Sequence, residues 1–126
     1  DNLELLVSNS GRKGTKGYQE LIDQGFITVE PLTYIRGRSI PRQYMIVDEA
    51  QNLTPHEMKT IVTRAGEDTK IVLTGDPHQI DNPYVNEGSN GLNTLVERFK
   101  KYSLAGHVTL VHGERSPLAD LAANVL

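Results

Sequence analysis

The chain has 126 residues, 37% hydrophobic and 23% charged, the balance of one folded domain and not of a disordered segment. Thirteen basic against sixteen acidic residues leave a net charge of −3, which excludes a generally basic nucleic-acid binder but not a local basic patch. With no cysteine, disulfides, thiolate catalysis and cysteine-zinc sites are excluded, and no apolar stretch approaches the ~20 residues of a membrane span.

The first residues, "DNLELLVSNS", have neither the basic start nor the long apolar core of a signal peptide. They also lack an initiator Met, so the chain reads as a piece of something longer; a cytoplasmic location fits the absence of cysteine. "LELLV" suits the end of a helix or a short strand. Ser8–Gly17, "SNSGRKGTKG", is the most loop-like stretch. "YQELIDQG" fits a short helix stopped by Gly25. Phe26–Leu32 reads as a strand closed by Pro31. Tyr44–Asp48, "YMIVD", is a short apolar run of the kind seen in parallel strands covered on both faces. Thr54, Pro55 and Glu57 then spell a helix start: an N-cap, a proline at the first position and a T-x-x-E capping box. That helix is expected to run to about Arg64 and stop at Gly66. Lys70–Asp76, "KIVLTGD", is a second apolar run. "NGLNTLVERFKKY" places Leu92, Leu95, Val96 and Phe99 on one helical face. His107–Gly113 reads as a further strand, and Ser116 and Pro117 open a last helix. Strands alternating with helices argue for a single α/β domain over residues 1–126 with a parallel sheet.

The chemistry gathers at two strand ends. Ligands of parallel sheets bind at the carboxyl ends of strands. Asp48 stands where the first apolar run gives way to loop, and a magnesium ion takes one or two carboxylates with waters and substrate phosphates. Glu49 would accept a proton from an attacking water or orient it. The plainer alternative is two solvated acids at a strand end. The second run closes on Thr74, Gly75 and Asp76, then Gln79. Gly75 permits close backbone approach, and Gln79 has the groups to sense a γ-phosphate or its attacking water. Gly-Asp-Pro is also ordinary turn chemistry, which accounts for Gly75 and Pro77 but not for Gln79. A nucleotide hydrolase also needs G-x-x-x-x-G-K-[ST] to cradle phosphates. "GRKGTKG" at Gly11–Gly17 fails that spacing, and no other stretch meets it.

At these residues the chain resembles the PhoH-type P-loop ATPases. "TYIRGRSI" (Thr33–Ile40), "IVDEAQNLTPHEMKTIVTRAG" (Ile46–Gly66), "KIVLTGDPHQIDNPY" (Lys70–Tyr84) and "SNGL" (Ser89–Leu92) carry the likeness. "GHVTLVHGERSPLADLA" (Gly106–Ala122) resembles the branch with a PIN nuclease domain upstream. The likeness covers residues 26–126 in order, with 1–25 less clearly matched. It implies the C-terminal half of a P-loop ATPase core, without the phosphate loop, which is expected in an upstream half of the same protein. It implies ATP and Mg2+ as cofactors, and helicase-like action on RNA as the partner. The resemblance makes Asp48 the magnesium carboxylate, Glu49 the catalytic carboxylate, and Asp76 and Gln79 γ-phosphate sensors. Gly75 and Gln51, in the same motifs, are expected beside the nucleotide. Arg115 in "GERS" is expected at a phosphate, of its own chain or of a neighbour in a homo-oligomer. This chain by itself is expected to be inactive.

Arg36, Arg38 and Arg42 form a basic cluster before the carboxylate strand. They suit RNA phosphates, an arginine finger across a subunit interface, or a solvated turn around Gly37 and Pro41. Lys13 and Lys16 read as a solvated loop. His78 is expected at the surface, not on a metal, and His56 is expected exposed. His107 and His112 bracket their strand without an obvious partner. Tyr34, Tyr84 and Tyr102 are expected to pack, not to stack on bases. Two other classes stay open. One is a non-catalytic RNA- or protein-binding module acting through the arginines. The other is a metal-dependent nuclease using Asp48, Glu49, Asp76 and Asp81.

Overall fold

The computed structural model describes residues 18–35, 37–111 and 116–125. Helix α1 covers Tyr18–Asp23 and ends before Gly25, as the sequence suggests. Strand β1 is Tyr44–Val47, helix α2 is Pro55–Val62, strand β2 is Lys70–Leu73, helix α3 is Gly91–Phe99 and helix α4 is Pro117–Val125. Short 3-10 turns occupy Leu32–Ile35 and Ala50–Asn52.

Strands β1 and β2 pair in parallel, with Tyr44 opposite Lys70 and Val47 opposite Leu73. Helix α2 is the crossover that such pairing requires. Its start is built as the sequence spells it. The Thr54 hydroxyl accepts from the Glu57 N–H at 3.2 Å, and the Glu57 carboxylate accepts from the Thr54 N–H at 2.9 Å. Two backbone donors of the helix start, at Thr54 and Glu57, are thereby satisfied. Helix α4 has the hydroxyl half of such a cap, Ala119 N–H donating to the Ser116 hydroxyl at 3.2 Å.

The core is one cluster of Ile35, Ile40, Val47, Ala50, Leu53, Met58 and Ile61, with Leu73, Leu92 and Leu95 packed against it. Helix α3 buries Leu92 and Leu95 partly in this way. Phe99 at its end is more open and meets Tyr102 edge to face, ring centroids 6.2 Å apart. The close seating of α3 on α2 depends on Gly91. A Cβ there would lie 2.7 Å from the Thr54 carbonyl oxygen and 2.8 Å from Met58 Cβ.

Several expectations are corrected. Phe26–Leu32 is not a strand; it runs as irregular chain into the 3-10 turn. His107–Val111 is likewise irregular, and the rest of that expected strand lies outside the described residues. A strand exists only where a neighbour takes up its hydrogen bonds. Among the described residues β1 and β2 form a sheet of two, with no third strand beside them. Nor is β1 covered on both faces: Tyr44 is 66% and Ile46 64% exposed, while Val47 is buried. The helices α2 and α3 supply a cover for one face alone. Helix α2 stops at Val62, short of Arg64. Tyr34, Tyr84 and Tyr102 do not pack into the core; all three are exposed. The readings on Leu3–Val7, on Ser8–Gly17 with Lys13 and Lys16, on Arg36, on His112 and on Arg115 lie outside the described residues.

Candidate functional site

The parallel register carries both strand ends to one edge. Thr74 N–H donates to the Val47 carbonyl at 3.0 Å, and Ala50 N–H to the Thr74 carbonyl at 2.9 Å. Asp48 and Thr74 thus stand side by side, and the Thr74 hydroxyl donates to Asp48 Oδ1 at 2.6 Å. Asp48 Oδ2 accepts no hydrogen bond from the described residues. Both Asp48 and Glu49 are exposed.

Glu49 turns the chain. Its φ of 53° is left-handed, a conformation that non-glycine residues seldom adopt. The tight turn Ala50–Asn52 follows at once, and it sends Gln51 inward. Gln51 is 0% exposed. Its Nε2 donates to Glu49 Oε2 at 2.6 Å and to the Gln79 carbonyl at 2.9 Å, and its Oε1 accepts from the Asp76 N–H at 3.2 Å. The amide orientation follows from that network. Reversed, it would set an NH2 against an N–H and an oxygen against a carboxylate and a carbonyl.

Asp76 and Gln79 form a small turn of their own. Asp76 Oδ1 accepts from the His78 N–H at 2.9 Å, and Gln79 Nε2 donates to Asp76 Oδ2 at 2.7 Å. Close approach at Gly75 is made by Gln51: a Cβ there would lie 2.5 Å from Gln51 Oε1 and 2.9 Å from Leu92 Cδ2. The structure therefore brings Asp48, Glu49, Gln51, Gly75, Asp76 and Gln79 to one edge.

Arg38 and Arg42 take no part in this hydrogen-bonded edge. Arg42 precedes β1, its N–H on the Glu67 carbonyl at 2.8 Å, so it sits at the amino edge of the sheet, opposite Asp48. Arg38 forms an ion pair with Glu30. It lines a cleft of about 480 Å³ that also touches Thr28, Tyr44, Ile46 and Asp48. His78 is exposed, as expected, with Nδ1 3.1 Å from Glu87 Oε1. His56 is exposed too.

Sequence reasoning missed the residues that hold this edge together. Asn52 Oδ1 accepts from the Asp81 N–H at 2.7 Å and the Asn82 N–H at 3.1 Å, and Asn82 Nδ2 donates back to the Asn52 carbonyl at 2.7 Å. Asn90, also 0% exposed, caps α3 through Asn93 N–H and holds the Asn86 and Glu87 carbonyls. The signal available was the density of Asn between 82 and 93, since Asn favours turns and caps.

The donor chemistry at this edge fits magnesium. Magnesium keeps most of its waters and takes one or two carboxylates, and Asp48 offers one at an exposed strand end. Among the described residues no group of three or more His, Cys, Asp or Glu is placed to hold a metal. The four acids of the nuclease alternative therefore do not form a ligand cage. No helix among the described residues is long and apolar enough to cross a membrane.

Comparison with known proteins bears on the same stretch. Protein PhoH2 of Bacillus subtilis (strain 168) is 56% identical over 126 residues, all of this chain and 28% of its own length. Protein PhoH2 of Mycolicibacterium smegmatis is 41% identical over 107 residues, 85% of this chain and 24% of its own length. A PhoH-like protein of Bacillus subtilis is 46% identical over 70 residues, 56% of this chain and 22% of its own. The chain thus spans under a third of the length of the relatives it matches. The family described as PhoH-like protein matches residues 3–124, and the chain belongs to that family.

Proposed function

We propose that these residues supply the acid edge of an ATPase that, as a complete protein, binds Mg-ATP, hydrolyses it and acts on RNA. One observation carries the reading: of the two acids at the end of β1, Asp48 is held by Thr74 from the end of β2, and Glu49 is tied through buried Gln51 to the Asp76–Gln79 turn that follows it. Family membership supports an ATPase-type protein. Magnesium, when bound, neutralises charge building on the transferring phosphates. Asp48 would hold it, with Thr74 fixing the carboxylate by its bond to Oδ1. Glu49, exposed and next in line, orients the attacking water. Gln79, pinned to Asp76, presents its amide where a γ-phosphate would lie. The phosphate loop that catalysis also needs is absent from these 126 residues, and the complete protein has to provide it.

The test is Mg-ATP hydrolysis by the complete gene product, with and without single-stranded RNA, beside Glu49→Gln. The substitution is clean on structural grounds, because an amide oxygen still accepts from Gln51 Nε2. Hydrolysis that rises with RNA and is lost in the variant, with ATP binding kept, is the expected result. Normal turnover in Glu49→Gln removes that residue from its role. No turnover under any condition removes the ATPase reading itself.

A further inference from the structure

Gln51 stands in the middle of the acid motif yet is wholly buried. A side chain that touched nucleotide would keep an accessible polar atom. Here both amide protons and the amide oxygen are already engaged within the protein. Among the described residues, Gln51 Nε2 is the hydrogen-bond donor that holds the Glu49 carboxylate. The same nitrogen holds the Gln79 carbonyl, and the same amide holds the Asp76 N–H. One planar group therefore spans the end of β1 and the turn after β2. The room it needs exists because position 75 has no side chain.

We propose that Gln51 is a positioning residue that locks Glu49 to the Asp76–Gln79 turn, so that the carboxylate holds its working orientation only while that turn is in place. The proposal rests on the ATPase reading above. Motion of the turn, as when Gln79 meets a γ-phosphate, passes to Glu49 through one rigid amide without any movement of the strands. The side chain of the neighbouring Asn52 ties the same loop five residues further on, at Asp81 and Asn82, and its link to Glu49 is a backbone one, Asn52 N–H to the Glu49 carbonyl at 3.0 Å, which Asn52→Ala leaves in place. It is the natural control for mere loop stability.

The test uses the complete protein and Gln51→Glu, Asn52→Ala and the double variant Gln51→Glu with Glu49→Gln. Gln51→Glu keeps the shape and the acceptor for Asp76 N–H but loses both donors and faces Glu49 with like charge. We expect kcat to fall about 100-fold, the loss that a misplaced catalytic group brings. The dissociation constant of a non-hydrolysable ATP analogue should stay at the wild-type value. The melting temperature should fall in Gln51→Glu and recover in the double variant, where the amide at 49 donates to the carboxylate at 51. Asn52→Ala should lower the melting temperature with a much smaller loss of kcat.

Wild-type kcat in Gln51→Glu overturns the proposal and leaves the ATPase reading standing. Weaker analogue binding at unchanged kcat overturns it too, since Gln51 would then touch nucleotide. Equal losses of kcat in Gln51→Glu and Asn52→Ala reduce its role to loop stability. A double variant no more stable than Gln51→Glu denies the bond to Glu49. An inactive wild type overturns the ATPase reading and takes this inference with it.

Discussion

At the scale of single residues, Gly75 is the place where the site and the core meet. An added Cβ would lie 2.5 Å from Gln51 Oε1 and 2.9 Å from Leu92 Cδ2. Gln51 cannot retreat, because its amide is held on three sides. Leu92 belongs to the layer packed on the core. Gly75→Ala should therefore destabilise the fold by about 1–3 kcal/mol, the usual cost of overpacking, and depress turnover of the complete protein. Urea unfolding and an ATPase assay check both. A variant of wild-type stability and turnover would mean that the turn yields without moving Gln51. The acids were legible because Asp48 and Glu49 end an unbroken apolar run, and a parallel strand end is where ligands bind. The inward turn of Gln51 was not, because it depends on the left-handed φ at Glu49, which nothing in the local sequence announces. The Asn52–Asn82 clasp was hidden for another reason: its partners lie 30 residues apart.

At the scale of elements, the helix α2 was the most legible part of the chain. Its cap, proline and N3 glutamate are local chemistry, and local chemistry is what sequence displays. Thr54→Ala should cost about 1 kcal/mol, since it removes the acceptor of the Glu57 N–H while Glu57 can still reach the backbone at position 54. Thermal unfolding beside Glu57→Ala measures the box; an unchanged melting temperature in both variants would show that packing of Met58 and Ile61 alone holds the first turn. Strands are different. Phe26–Leu32 and His107–Val111 have strand-like composition, yet a ladder is made by a neighbour. The pairing of β1 with β2 was readable because α2 between them is the crossover of a parallel pair. For the two other segments, no comparable partner stands beside them among the described residues.

At the scale of the whole molecule, the balance of buried and exposed apolar surface points to what the 126 residues need. The core is a single cluster beneath one face of the sheet. Tyr44 and Ile46 on the other face, Val108, Leu110 and Val111 after α3, and Leu118, Leu121 and Val125 along α4 are all exposed. Exposed apolar surface on this scale is a docking face or an aggregation liability. The acid edge has a corresponding chemical gap, since no G-x-x-x-x-G-K-[ST] occurs in the chain to hold the phosphates. Both arguments predict the same behaviour. The isolated 126-residue chain should bind a hydrophobic dye strongly and show no ATP turnover, while on the proposed reading the complete protein should bind less dye per molecule and hydrolyse ATP. Dye fluorescence and phosphate release, measured on the two proteins side by side, test this. Turnover by the clean isolated chain would mean that Asp48, Glu49 and the Asp76–Gln79 turn suffice without a phosphate loop. Equal dye binding by both proteins would mean that the open face of β1 stays open in the complete molecule, and that something other than its own chain is meant to cover it.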